Sequence, residues 1–346
     1  MGQDKIRIAM LGAGLIAPIH AAGFQEMADQ AEVAWVCDTD EEKARDLAGL
    51  FDARVTTDYR EAIADPGVDL VDVLLPHHLH LPVARDVFAG KKHLLIEKPL
   101  ALTYADALAI CHQAQEAGLC LMVAENTRYI QAYRAAEEIV RSGKLGEISL
   151  VRTFLPANER IRLSSPDFWG KKRAQGGGAL IDSGPHSFYL LNWLFGPVRE
   201  VAAFTGTLYR VGSEVEDNAD VIGALESRAR FLSSFTFTAE IPHSERLEIY
   251  GSQGSLIVDQ LADPVVKYFA DPTDYEGSPV EGVESDPMGW HYFSIVEEVK
   301  DAIRTLAEGT PPLVDPLDCA EAVRVIEAAY QSVRSGGRPV LVSSIS

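Results

Sequence analysis

An apolar, partly β-branched run, Ile6-Arg7-Ile8-Ala9-Met10-Leu11, breaks at Gly12. It continues as Gly12-x-Gly14-x-x-Ala17 into a helix-like segment through Phe24 and Met27. Few short patterns constrain a fold as tightly, because each small residue has a steric task. Gly12 permits a tight turn, Gly14 lets backbone approach a pyrophosphate, and Ala17 lets the helix pack near the strand. Gly14, Leu15 and Ile16 then offer N–H groups at a helix start, where the dipole favours an anion. A second strand pattern, Ala31 to Cys37, ends at Asp38. That acid follows Ala17 by about 20 residues, the spacing of a carboxylate that holds ribose hydroxyls. These features predict a dinucleotide site. Asp38 also repels a 2′-phosphate, and Thr39-Asp40-Glu41-Glu42 brings no adjacent arginine. NAD is therefore favoured over NADP.

With 346 residues the chain has room for two domains with substantial cores. It carries no signal-peptide pattern and no apolar run of membrane-spanning length. The net charge of −20 argues against nucleic acid or an anionic membrane as partner. Cys37, Cys111, Cys120 and Cys319 lie far apart with no CxxC pair. They read as reduced thiols of a cytoplasmic protein, neither a disulfide frame nor a zinc site.

Strand and helix patterns alternate as far as Val123, which predicts a mostly parallel sheet covered on both faces. Ligands bind such sheets beyond the carboxyl ends of strands. Gly12, Asp38, Pro76 and Glu97-Lys98 each follow a strand and so share one rim. Beyond a helix at about Ala132 to Arg141, strand-like runs with turns between them predominate, closed by helices near Tyr292 to Ala307 and Leu317 to Arg334. This half reads as an α+β domain with a large, mainly antiparallel sheet.

Two further segments carry chemistry. Lys98, in Glu97-Lys98-Pro99, can steady alkoxide charge, or it can be a surface lysine paired with Glu97. In Gly176-Gly177-Gly178-Ala179-Leu180-Ile181-Asp182-Ser183-Gly184-Pro185-His186, Pro185 suits the first turn of a helix running to Phe195. His186 would then sit near that helix's N-terminus as a neutral base, with Asp182 just before the helix to orient it or relay protons. A capping Asp and a core-facing His are the plainer alternative.

Together, the fingerprint, Glu97-Lys98-Pro99 and Asp182-x-Gly184-x-His186 resemble the Gfo/Idh/MocA oxidoreductase family over essentially the whole chain. Pro76-His77-His78-Leu79-His80 looks like that family's loop before the fourth Rossmann helix. Ala124-Glu125-Asn126-Thr127-Arg128-Tyr129 looks like its crossover into the second domain. The resemblance implies an α/β Rossmann domain over 1–126 and an α+β substrate and oligomerisation domain with an open-faced sheet over 127–346. It implies an active site in the cleft between them, with Lys98, Asp182 and His186 as catalytic residues. It also implies a cis peptide before Pro99, and a homodimer or homotetramer built through the exposed sheet. The cofactor-binding set becomes Gly12, Gly14, Leu15, Ile16, Asp38, Pro76, His80, Glu97, Lys98 and Asn126. The substrate-binding set is Lys98, Arg128, Trp169, Asp182, His186 and Tyr189. Tyr189 stands where the family often has an acid, and it suits either a substrate hydroxyl or the core.

No metal is expected, because His77, His78 and His80 bring no further identifiable ligand. Lys171, Lys172 and Arg173, with Arg160 and Arg162 upstream, read first as a solvated loop and second as a contact for an anionic group. The function expected is NAD-dependent hydride transfer from a secondary alcohol of a sugar, cyclitol or sugar derivative. The alternatives are glycoside cleavage by transient oxidation and non-catalytic dinucleotide sensing.

Overall fold

The structure, a computed structural model, describes residues 5–159, 169–209 and 213–346. Arg160 and Arg162 lie outside them. The chain forms two compact units, residues 1–126 with 292–320, and residues 127–291 with 321–346. A linear reading of the sequence has no sign of this return of 292–320 to the first unit.

The first unit is built on six parallel strands: β1 (Ile6–Leu11), β2 (Ala31–Cys37), β3 (Arg54–Thr56), β4 (Leu70–Val73), β5 (His93–Glu97) and β6 (Leu121–Ala124). Their order in the sheet is β3-β2-β1-β4-β5-β6. The order reverses between β1 and β4, which is where such sheets open a crevice for ligands. Five helices connect the strands: α1 (Ala17–Glu26), α2 (Glu41–Ala48), α3 (Tyr59–Ala64), α4 (His80–Ala89) and α5 (Tyr104–Ala117). Thr103 caps α5 by accepting the Asp106 N–H at 3.1 Å, and Gly118 ends that helix in the left-handed region. Ile8, Met10, Phe24, Val36 and Leu70 form the core beside β1, joined by Val299, Ala302 and Ile303 of the returning segment.

The second unit holds α6 (Gln131–Arg141) and nine strands: β7 (Ile148–Pro156), β8 (Val198–Gly206), β9 (Asn218–Leu225), β10 (Arg230–Thr236), β11 (Arg246–Gly251), β12 (Ser255–Asp259), β13 (Val266–Phe269), β14 (Ser278–Pro279) and β15 (Val340–Leu341). They form one sheet in the order β14-β13-β12-β11-β7-β10-β9-β8-β15. Only β7 and β10 pair in parallel among the described strands of this sheet. A long helix, α7 (Ala179–Phe195), covers one face. Phe188 of α7 meets Phe231 and Phe235 of β10 edge-on, at 6.3 and 6.0 Å between ring centres. Strand alternation puts Phe154, Ile222 and Phe204 on the other face, where they are 40%, 51% and 62% exposed. Helices α8 (Trp290–Glu308) and α9 (Pro316–Arg334) complete the described α-helices.

The helix carrying His186 begins earlier than the sequence predicts. It starts at Ala179, not Pro185, so Pro185 lies inside it. Asp182 occupies the first turn, and His186 sits about two turns in. The expected influence of a helix N-terminus on the His186 imidazole is therefore withdrawn, since that effect fades beyond the first turn. The earlier start has a tertiary cause. Glu216 accepts the Leu180 N–H at 3.1 Å through its side chain and the Ala179 N–H at 3.1 Å through its carbonyl. Both are orphan donors of the first turn. Proline at position 185 forfeits one intrahelical bond, and the buried flank of α7 offsets it.

Candidate cofactor turn and catalytic side chains

The turn after β1 is shaped by its neighbours. Gly12 has φ +109°, and a Cβ there would stand 2.4 Å from the Leu74 carbonyl oxygen. A left-handed backbone and a close neighbour both demand glycine. Around Gly14 the geometry is opposite, because a Cβ there would meet nothing within 4 Å. The N-terminus of α1 has no side-chain cap. Leu15 is 74% exposed. The protein leaves space and unclaimed donor direction at this helix start, which suits a bound pyrophosphate.

Asp38 stiffens the same turn. Its Oδ2 accepts the Ala13 N–H at 2.8 Å, and its Oδ1 accepts the Asp40 N–H at 2.9 Å. Each carboxylate oxygen keeps a second lone pair for a hydroxyl donor. Nearby, Lys43 pairs with Asp40 and Arg45 with Glu41, so the cations beyond Asp38 are already engaged by acids.

Pro76 ends the segment after β4 and precedes a short 3₁₀ turn, His77–Leu79. His80 is fully buried. Its Nδ1 lies 2.9 Å from the Pro99 carbonyl oxygen and its Nε2 2.9 Å from that of Leu75. Burial holds its pKa below the usual histidine value. His80 thus stands between the loop after β4 and the turn after β5, and its neutral ring donates its single N–H to one of the two carbonyls. The peptide between Lys98 and Pro99 is cis, as the family resemblance implied. Glu97 turns its carboxylate to His20 at 3.3 Å and to the Lys98 backbone N–H at 3.1 Å. Asn126 is buried and donates to Ser294 Oγ at 2.7 Å.

In the second unit, His186 is 8% exposed, and its Nδ1 lies 3.4 Å from Thr127 Oγ1. Asp182 is half-buried one helical turn earlier. Tyr189 is buried and packs its ring 6.3 Å from that of Trp193. Arg128 stacks over Trp193 at 3.9 Å and pairs with Glu137 at 3.3 Å. Trp169 is half-buried in a short turn with Lys171. Lys171 is buried, whereas Lys172 and Arg173 are exposed, and Arg173 binds the Glu214 carbonyl oxygen at 2.8 Å.

Three features escaped sequence reasoning. Thr127 is one, since a threonine beside a crossover carries no spacing signal. Glu216 caps α7 from 36 residues away, and Tyr330 donates to the same oxygen at 2.8 Å. The third is His20, which belongs to the fingerprint helix yet pairs with Asp72 and Glu97. His77, His78 and His80 do not converge as a metal set. Among the described residues, the group whose ligand atoms lie within 4.8 Å of one another is His20, Glu97 and Glu298.

No helix among the described residues is long and apolar enough to cross a membrane. Residues 6–125 match the Gfo/Idh/MocA oxidoreductase family with its NAD-binding Rossmann fold, and residues 133–257 match the family's C-terminal domain. An inositol 2-dehydrogenase of Acidothermus cellulolyticus is 27% identical, over 97% of this chain and 95% of its own. The crystal structure of GenD2 from gentamicin A biosynthesis, in complex with NAD, is 29% identical with a TM-score of 0.85, covering 99% of this chain and 97% of that one. The WlbA dehydrogenase from Bordetella pertussis, solved with NADH and UDP-GlcNAcA, shares the fold with a TM-score of 0.88 at 23% identity, covering 99% of each chain. Two matched domains in the family's order, the first with its NAD-binding Rossmann fold, make this chain an NAD-binding oxidoreductase of the Gfo/Idh/MocA family.

Proposed function

We propose that the chain is a dehydrogenase of a secondary alcohol on a sugar, cyclitol or related polyol. His186 is the general base and Lys98 the group that steadies the oxygen. The observation that carries the reading is the 3.4 Å approach of Thr127 Oγ1 to His186 Nδ1. With the Thr127 hydroxyl facing Nδ1, that nitrogen can keep its hydrogen and donate it, which leaves Nε2 basic. Nε2 takes the hydroxyl proton as the carbon is oxidised. The Lys98 ammonium balances the negative charge that develops on the oxygen. Asp182, one turn from His186, passes the proton onward. Bound NAD supplies the hydride acceptor, held by the Gly12–Ile16 turn, with Asp38 on the ribose. The similarity to inositol 2-dehydrogenase supports a polyol substrate. Arg128, Trp169 and Tyr189 stay in the proposed substrate set, with Arg128 and Tyr189 acting through Trp193 packing. We extend the proposal to self-association through the outer face of the β7–β10 sheet, where Phe154, Ile222 and Phe204 stand exposed.

A panel of sugars and cyclitols, followed by NADH absorbance with NAD and NADP in parallel, tests the reading. His186→Ala and Lys98→Ala should each lower kcat by about 10²–10⁴-fold while NADH binding survives. Near-normal turnover in both variants would defeat the assignment. Glycoside cleavage without net NADH formation would instead identify transient oxidation.

A further inference from the structure

Four titratable side chains meet inside the first unit. His20 on α1 is fully buried. Its Nδ1 lies 3.1 Å from Asp72 Oδ2 on β4, and its Nε2 lies 3.3 Å from Glu97 Oε1 at the end of β5. The second oxygen of Glu97 accepts the Lys98 backbone N–H at 3.1 Å. Glu298 on α8 is 4% exposed and brings a carboxylate oxygen within 4.8 Å of the His20 and Glu97 ligand atoms. Asp72 Oδ1 and Glu298 Oε2 have no hydrogen-bond partner among the described residues.

Burying one imidazole and three carboxyl groups is costly, and an apolar set of similar size would pack with less penalty. Such a cluster is explained best by what it holds. The chain of contacts runs without a gap from Asp72 through His20 and Glu97 to the Lys98 amide. Burial lowers the His20 pKa, but Asp72 and Glu97 together lift it well above the ordinary value. Both ring nitrogens then donate, one to each carboxylate. Burial and the neighbouring Glu97 carboxylate push Glu298 well above the usual carboxylate range. Burial likewise raises Asp72, against the pull of His20.

We propose that His20 is a positioning residue: anchored by Asp72, it holds the Glu97 carboxylate on the Lys98 amide and so fixes the backbone from which Lys98 acts. This rests on the reading of Lys98 given above. The two ring nitrogens permit separate tests. In His20→Asn the amide reaches the place of Nδ1, so Asp72 keeps its donor and Glu97 loses one. In His20→Gln the amide reaches toward Nε2 and keeps the donor to Glu97.

The experiment measures kcat and KM on a substrate found by the panel, the NADH Kd, and the pH profile of Lys98 labelling by trinitrobenzenesulfonate, read by peptide mass spectrometry. His20→Asn should lower kcat by about 10- to 100-fold, the scale of a misplacement near 1 Å, with KM and Kd within about twofold. It should also shift the Lys98 labelling profile, and His20→Gln should restore most of both. Asp72→Asn, which loosens the anchor while keeping its size, should move the same readouts in the same direction. Equal loss of stability in both His20 variants, with kcat and the labelling profile unchanged, would overturn the proposal and leave His20 as core filling. Stoichiometric divalent metal in the purified protein, lost in Glu298→Gln, would also overturn it, making the cluster a metal site. Should Lys98→Ala retain turnover, the function assigned to Lys98 fails, while the labelling profile still decides whether His20 positions the turn.

Discussion

Two helices of this protein start after glycines, and their N-termini have opposite fates. At α1 a Cβ on Gly14 would meet nothing, and no side chain caps the helix. At α7 the end is filled: Glu216 takes the Leu180 N–H, and a Cβ on Gly178 would stand 2.4 Å from its Oε1. Both ends offer the same orphan donors and the same dipole. A glycine-rich helix start therefore stays open only where the protein has not supplied its own acceptor. The first glycine turn keeps open space, the proposed place of the cofactor's phosphates, and the second encloses the carboxyl group of Glu216.

Substitutions can break this contrast. The largest loss is expected for Gly12→Ala, which needs φ +109° and collides with backbone at Leu74. It should cost at least about 3 kcal/mol in denaturant unfolding and abolish NADH binding. Gly178→Ala faces φ +129° but meets the end of a flexible side chain, so about 2 kcal/mol is expected. Its NADH affinity should stay unchanged once the protein is folded. If Gly178→Ala instead weakens NADH binding selectively, the contrast is wrong.

The Glu216 charge gives a pH test. Burial raises its pKa, and the hydrogen bonds from Tyr330 and Leu180 only partly oppose this. A raised acid binds its proton more tightly when folded. Its stabilising protonation is present below the unfolded carboxylate value and is lost as pH rises through the folded value. Glu216→Gln keeps the acceptor and cannot ionise. It should match wild type in unfolding free energy near pH 4 and gain on it as pH rises, by at most about 1.4 kcal/mol per pH unit. A difference that stays flat with pH would mean that Glu216 acts by shape alone.

The smallest change in stability belongs to Gly14→Ala, whose methyl enters open space. Unfolding should stay within about 0.5 kcal/mol of wild type. NADH affinity should fall about tenfold, equivalent to about 1.4 kcal/mol, as the methyl enters the phosphate cradle. Unchanged affinity would show that the open space is not used by the cofactor.

The sequence by itself determined the parallel sheet, the glycine turn and the place of Asp38 just after β2. Each is encoded by neighbours in the chain, through strand periodicity and small residues at fixed spacing. The antiparallel character of the second sheet was legible for the same reason. Only tertiary structure decided the start of α7, since a carboxylate 36 residues away from Leu180 satisfies its first amides and moves Pro185 into the interior. Tertiary structure also turned His80 onto two carbonyl groups, set Thr127 against His186, and drew Glu298 toward His20. These are contacts between residues far apart in the chain. Their energy comes from burial and from pairing buried polar groups, and neither quantity has a period or a spacing for a linear pattern to display.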